Sequence, residues 1–308
     1  MTTISAKTVL RSRNASRPDK VLTTLLLRYP RWVHAEFLTH RAFSRNAASS
    51  RAIPVEKQIN GILDDPALPV VWTKNEPGMQ GYQLMEPAEV EEAKKVWLWT
   101  LHGDIGNARQ LHSLGAHKQI VNRILEAHMH ITVLVSSTEW ENFLELRDHH
   151  AAEPHIQILA REIKKCLDND PIETRLPGEW HLPFVTDEDY DVACDFIQHG
   201  QDLYPNKDDP RTVDQVAIEQ LIRLSVARCA STSYKTVDGF EMTADKANQI
   251  YDKLVTSKPI HASPAEHTAQ VDQWVGPEMA GHLVGSGKWA HAEEHGNFKG
   301  FRQLRFSL

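Results

Sequence analysis

The 308-residue sequence holds three cysteines, Cys166, Cys194 and Cys229, odd in number and far apart. That scarcity argues against a disulfide framework and for a reducing, cytosolic setting. No CxxC pair occurs, so a thiolate zinc site is not expected. No run of about 18 apolar residues is present, and no membrane span is expected. The N-terminal stretch MTTISAKTVLRSRNAS is basic but lacks an apolar h-region, unlike a secretory signal. GxGxxG, GxxxxGK[ST] and GxSxG are also missing, which leaves a Rossmann site, a P-loop and the commonest hydrolase elbow unsupported. Positive charge is in deficit: 34 Lys and Arg against 41 Asp and Glu give −7, with 17 histidines uncounted. A nucleic-acid coat needs a basic surface, so no nucleic acid polymer is expected as partner. Small anionic ligands stay open, because a few local arginines suffice for them.

What is present reads as a soluble globular chain, 41% apolar and 24% charged. Residues 20–28 are a buried strand or short helix, which periodicity does not decide. Residues 62–83, rich in Pro, Asp and Gly, read as loop. Residues 87–114 predict a long helix with Pro87 in its first turn and Gly115 as its stop. A second helix is expected at about 117–126, a strand at 130–136, and helices at 139–147 and 154–168. The segment 170–211 is broken by five prolines and reads as a linker or draped loop with one short helix near 187–198. Thr212 and Gln215 fit a capping box opening a helix over 212–229. A further helix is expected from Thr243 to about Leu254, and a strand in the final FRQLRFSL. The balance is α+β, with helices packed around a small central sheet.

The densest polar cluster runs from Thr39 to Arg51. It contains His40, Arg41, Ser44, Arg45, Asn46, Ser49, Ser50 and Arg51 with the small residues Ala47 and Ala48. Small residues let a backbone approach a ligand, and Ser, backbone N–H and Arg donate to phosphate oxygens. The same composition fits a solvated helix face or a basic loop. Arg123, Asn142 and Arg147 form a second set. Asn142 and Arg147 lie five residues apart on an expected helix, so they point about 140° apart. Taken singly, each also fits an ordinary surface position. The histidines show no standard metal-ligand spacing.

His40-Arg41, then seven residues and Ser49-Ser50-Arg51, resembles the R-H-R-x7-S motif of the flavin-dependent thymidylate synthases (the ThyX family). Asn122-Arg123-Ile124-Leu125, Ile131-Thr132, Asn142 to Arg147 and Ala152-Glu153-Pro154-His155-Ile156 resemble that family's second block, in the right order. The stretch 31–185, including WTKNEPGMQG and GEWHLP, looks most like the longer phage-type members. Thr39 replaces the motif's first Arg, and Glu36, Glu153 and His155 replace Gln, Gln and Glu of the family pattern. Ala227 to Tyr234, Ser263-Pro264-Ala265-Glu266-His267 and Phe301 to Arg305 resemble segments that precede the first motif in shorter members. Either the strings are alike by chance, or the arrangement is circularly permuted. On the second reading one ThyX-like domain spans 1–308. Its core motifs lie in 1–185, an insertion at 52–116, and 212–308 stands for the N-terminal segment of shorter relatives.

The resemblance implies reductive methylation of dUMP to dTMP with FAD, NADPH and methylenetetrahydrofolate. Glu36, Ala47, Ala48, Ser49, Ser50, Arg51 and Arg123 are then expected at dUMP, with Arg123 coming from another subunit. Arg147 is expected beside the uracil as the catalytic residue, favouring ionised N3. Thr39, His40, Arg41, Asn46, Asn142 and His267 are expected at FAD. A homotetramer in the cytoplasm, or in the host cytoplasm for a phage protein, goes with this reading. Two alternatives stand: a related transferase acting on another pyrimidine nucleotide such as dCMP or adding hydroxymethyl, and a non-catalytic flavin or nucleotide binder.

Overall fold

A computed structural model describes residues 3–199, 212–232, 242–276 and 287–308. Its first half runs Ser5–Asn14 (β1), Val21–Pro30 (β2), His34–Phe37 (α1), Ser44–Ala47 (β3), Val55–Asp64 (α2), Pro87–Ser113 (α3), Lys118–Val121 (α4) and His130–Ser137 (β4). Glu141–Arg147 (α5), Pro154–Asn169 (α6), Glu173–Arg175 (β5), Trp180–His181 (β6), Asp187–His199 (α7), Val213–Ser231 (α8) and Ala244–Tyr251 (α9) follow. Ala269–Val271 (β7), Trp274–Val275 (β8), Lys288–Trp289 (β9) and Phe301–Gln303 (β10) end the described chain. This is a mixed helix and sheet architecture, as the periodicities predict.

The main sheet has the order β3-β4-β2-β1-β5, antiparallel except for β5 beside β1. β2 is central, which explains its run of three leucines: both faces are covered. The β1–β2 turn is closed by Asn14, whose Oδ1 accepts from the Ser16 and Arg17 N–H groups. On one face Leu25, Leu27, Tyr29, Val133 and Val135 pack under Ile156, Leu159 and Ile163 of α6 and Phe143 of α5. The opposite face is covered by the C-terminal segments. Leu22 packs there with Ala269, Val271, Phe298 and Phe301. A small sheet, β10-β7-β6, continues that layer. α2, α3 and α4 build a satellite core through Val55, Ile59, Leu101, Ile105 and Val121.

Several expectations change. Residues 20–28 resolve as strand. The helix expected at 117–126 shortens to α4, with a separate 3₁₀ turn over Glu126–His128. The linker reading of 170–186 is replaced by β5 and β6, which join two sheets. The described part of that segment ends in α7, as expected, while Pro205 and Pro210 lie outside the described residues. β1, β3 and α2 stand where no element was expected, in stretches too polar or too short for a clear period. α3 begins on Pro87 behind a Glu86–Glu89 capping box, and α8 begins on the Thr212–Gln215 box. No helix among the described residues is long and apolar enough to cross a membrane.

Candidate functional site

Arg147 ends α5, where it reaches back to the first polar cluster. Its Nε donates to His40 Nε2 at 2.9 Å, and its Nη atoms stand 3.4 Å from Glu36 Oε2 and from Thr39 Oγ1. The two ends are fixed by packing. Phe143, one turn before Arg147, sits edge-on to His40 at 4.9 Å and contacts Phe37 and Phe43. Thr39 is pinned to α1 through its N–H and Oγ1, both donating to the Glu36 carbonyl. Arg45 closes the same turn: its Nη1 serves the carbonyls of Phe37, Leu38 and His40. One end of the Arg45 guanidinium is thereby fixed to the loop.

Arginine only donates, so His40 Nε2 carries a lone pair and its ring is neutral. Burial, then the Arg147 and Arg45 charges, push its pKa down to about 4. Glu36 is shifted the other way, raised by burial and by the Glu153 carboxylate against the pull of Arg147. Burial pushes the Glu153 carboxyl up, but hydrogen bonds from His155 and the α6 N-terminus outweigh it and hold it below its ordinary range. Glu153 is the N-cap of α6, accepting from the N–H groups of His155 and Ile156 and from the His155 ring. Glu36, Arg147 and Glu153 line a cavity of about 400 Å³. Its other wall comes from Thr73 and the stretch 79–82.

A second cluster gathers after β3. Ala47 pairs with Val133, and the Ala48 N–H donates to the Thr132 carbonyl. Asn122 Nδ2 then holds the carbonyls of Ser50 and Ile53. Ser50 Oγ, Arg123 Nη1 and Arg31 Nη2 converge on one oxygen, Glu126 Oε1, at 3.0, 2.9 and 3.2 Å. Ser49 is half-buried and Arg51 exposed beside them. Arg31 and Glu126 had no motif to announce them; Arg31 arrives only because β2 delivers it next to the 3₁₀ turn that carries Glu126.

The remaining expected residues separate. Arg41 and Asn142 are exposed. Asn46 is buried, its Nδ2 donating to the Cys229 carbonyl and Thr232 Oγ1 at the end of α8. His267 is fully buried with Nδ1 on Ser136 Oγ at 2.8 Å. That contact begins a buried chain through Thr24 Oγ1, His181 and Ser12 Oγ to Arg175 Nε. Of the residues expected at a flavin, Thr39, Arg41 and Asn142 are open to one, whereas Asn46 and His267 are committed to the interior. The C-terminal segment touches the first cluster directly: Gln303 and Asn297 reach Ser44 Oγ, and Asn297 Nδ2 donates to the Ala42 carbonyl. Ser233 and Tyr234 lie outside the described residues.

No family model matches the sequence, and no curated protein does. Among solved structures, the chain is similar to a UMP/dUMP methylase, PolB from Streptomyces cacaoi. With 5-Br UMP bound, that protein gives a TM-score of 0.47 at 14% identity over 54% of this chain and 89% of PolB. With 5-Br dUMP bound, the values are 0.45, 12%, 54% and 90%.

Proposed function

We propose that this chain is a C5 transferase for a pyrimidine nucleotide, and specifically a flavin-dependent thymidylate synthase acting on dUMP. The observation that carries the reading is the contact of Arg147 with His40, Thr39 and Glu36. Residues of the two motif blocks, remote in sequence, meet at the edge of one cavity. In this reading Ser50, Arg31 and Arg123 hold the nucleotide phosphate, joined by Ser49 and Arg51. Arg147 stands at the pyrimidine ring. A guanidinium beside an acidic N–H lowers its pKa and favours the anionic, electron-rich ring that C5 alkylation needs. Neutral His40 fixes the guanidinium plane, and Glu36 supplies an acceptor beside it. Thr39, Arg41 and Asn142 are the residues open to FAD, which, when bound and reduced by NADPH, supplies the hydride; methylenetetrahydrofolate supplies the carbon. The arginine cluster and the Arg147 cavity share no residue, and a homotetramer that faces one against the other across subunits accounts for this.

Tritium release from [5-³H]dUMP in the presence of FAD, NADPH and methylenetetrahydrofolate tests the reading. Release is expected only with the complete mixture, and none from dUMP under any mixture removes the synthase. One observation favours a second substrate. Glu36 offers a carboxylate acceptor at the cavity, which suits the amino group of cytosine. Release from [5-³H]dCMP in place of dUMP decides for it.

A further inference from the structure

Residues 72–85 form a closed hairpin rather than a slack loop. Thr73 bridges Leu84, the Lys74 N–H donates to the Gln83 carbonyl, and the Met85 N–H donates to the Trp72 carbonyl. Its tip is held from within, because Glu76 Oε2 accepts from the N–H groups of both Tyr82 and Gln83. Its base is held by aromatic packing: Trp72 stands edge-on to Trp97 of α3, which stands edge-on to Trp32. Gln80 Nε2 ties the tip to the Ala151 carbonyl at 2.9 Å, directly behind α5. Gly81 is required for this closure, since a Cβ there would lie 2.6 Å from Thr73 Oγ1 and 3.0 Å from the Lys74 carbonyl oxygen.

So anchored, the hairpin presents Met79 and Tyr82 to the cavity that holds Arg147 and Glu36. Both side chains are left largely in water, Met79 at 94% and Tyr82 at 63% exposure. A rigid hairpin that exposes an aromatic ring and a thioether beside a polar cavity is suited to a flat ligand, which covers the apolar faces while its edge meets the polar groups. We propose that Tyr82, held by the Glu76, Gln80 and Gly81 contacts, is the stacking wall for the pyrimidine base, supplied by the same chain that supplies Arg147. This assignment rests on reading the cavity as the pyrimidine site.

The test is calorimetric titration of the full-length protein with dUMP and, in parallel, with 2-deoxyribose 5-phosphate, which lacks the base. Tyr82→Ala is expected to weaken dUMP roughly 5- to 100-fold, the range for loss of base stacking on an aromatic side chain, and to leave the sugar phosphate unchanged. Tyr82→Phe keeps the ring and should bind dUMP like the parent. Gly81→Ala, which forces the hairpin off Thr73, should reproduce the base-dependent loss while the melting temperature of the core holds. Equal dUMP affinity in parent and Tyr82→Ala, or equal losses for both ligands, overturns the wall. A parent that binds the sugar phosphate as tightly as dUMP also overturns it. A parent that binds neither ligand overturns the pyrimidine reading of the cavity, and the wall with it.

Discussion

Arg147 Nε donates to the bare Nε2 of His40 at 2.9 Å across 107 residues of sequence. One planar guanidinium thereby serves an imidazole, a carboxylate and a hydroxyl at once. A lysine carries a single ammonium with no such fork and cannot satisfy all three. Arg147→Lys is expected to cut kcat/KM for tritium release from dUMP by about 100-fold or more, in line with loss of one preorganised donor. Lysine keeps the positive charge and most of the aliphatic stem, so only a small change in Tm is expected. A variant with near-parental turnover would remove Arg147 from the site.

Glu126 is an anion already seated among Ser50, Arg31 and Arg123. In the free protein it neutralises the arginines that the proposed function gives to phosphate. Burial pushes its carboxyl up, but Arg31, Ser50 and Arg123 prevail and hold it below the ordinary range, so it is charged at neutral pH. Glu126→Gln keeps the shape and removes the competing charge. It should tighten binding of dUMP and of inorganic phosphate by about twofold to fivefold, the scale of one partly exposed ion pair. The gain should shrink as salt is raised. Weaker phosphate binding in Glu126→Gln would mean that the carboxylate organises the arginines instead of competing for them.

The buried chain from His267 to Arg175 makes a separate prediction about stability. Thr24 stands in its middle, 2.6 Å from Ser136 Oγ and 2.8 Å from His181 Nε2, and Thr24, Ser136 and His181 are all buried. Thr24→Val preserves shape but strips a partner from both neighbours. Each buried polar group left unsatisfied costs about 1–3 kcal/mol. A fall of at least that size in unfolding free energy is expected from urea titration. A neutral substitution would show that the neighbours find other partners.

These residues also show where sequence reading succeeds and stops. β4 is legible because His130–Ser137 carries an apolar run, α6 because Ile156, Leu159, Ile163 and Cys166 share a face, and α3 and α8 because Pro87 and the Thr212–Gln215 box mark their first turns. β1 is not, because it buries Arg11, Ser12 and Asn14. Those polar side chains are satisfied far away: Arg11 donates to the carbonyls of Cys166 and Asp170, and Asn14 to those of Asp272 and Gly300. No local pattern encodes a partner more than 150 residues distant. The site divides the same way. The resemblance to family motifs named Arg147, His40, Thr39 and Glu36 before the fold joined them. Arg31, Glu126 and Tyr82 became visible only once β2, the 3₁₀ turn and the hairpin placed them.

Histidine burial makes the last prediction, an acid-side loss of stability. Burial lowers the pKa of His34, His40 and His130 to about 4 and that of His267 to about 3, and places His181 well below the ordinary value of 6.5. Arginine charges add to the shift at His34, His40, His130 and His181. All five are neutral in the folded chain at pH 6.5 and take up protons once unfolded. Between about pH 6.5 and pH 4 the unfolded state therefore binds more protons than the folded one, and stability falls as pH falls. The contribution is fully present above pH 6.5. Urea midpoints should be flat from about pH 8 to 7 and should decline steadily below 6.5, before most carboxylates titrate. Unfolding at about pH 5.5 should take up protons, measurable as a dependence of calorimetric enthalpy on buffer ionisation heat. Proton release at that pH, or a midpoint that holds down to pH 4.5, would mean that these rings are charged or solvated in the native protein. Were His40 among the charged rings, it could not accept from Arg147, and the central contact of the candidate site would fail.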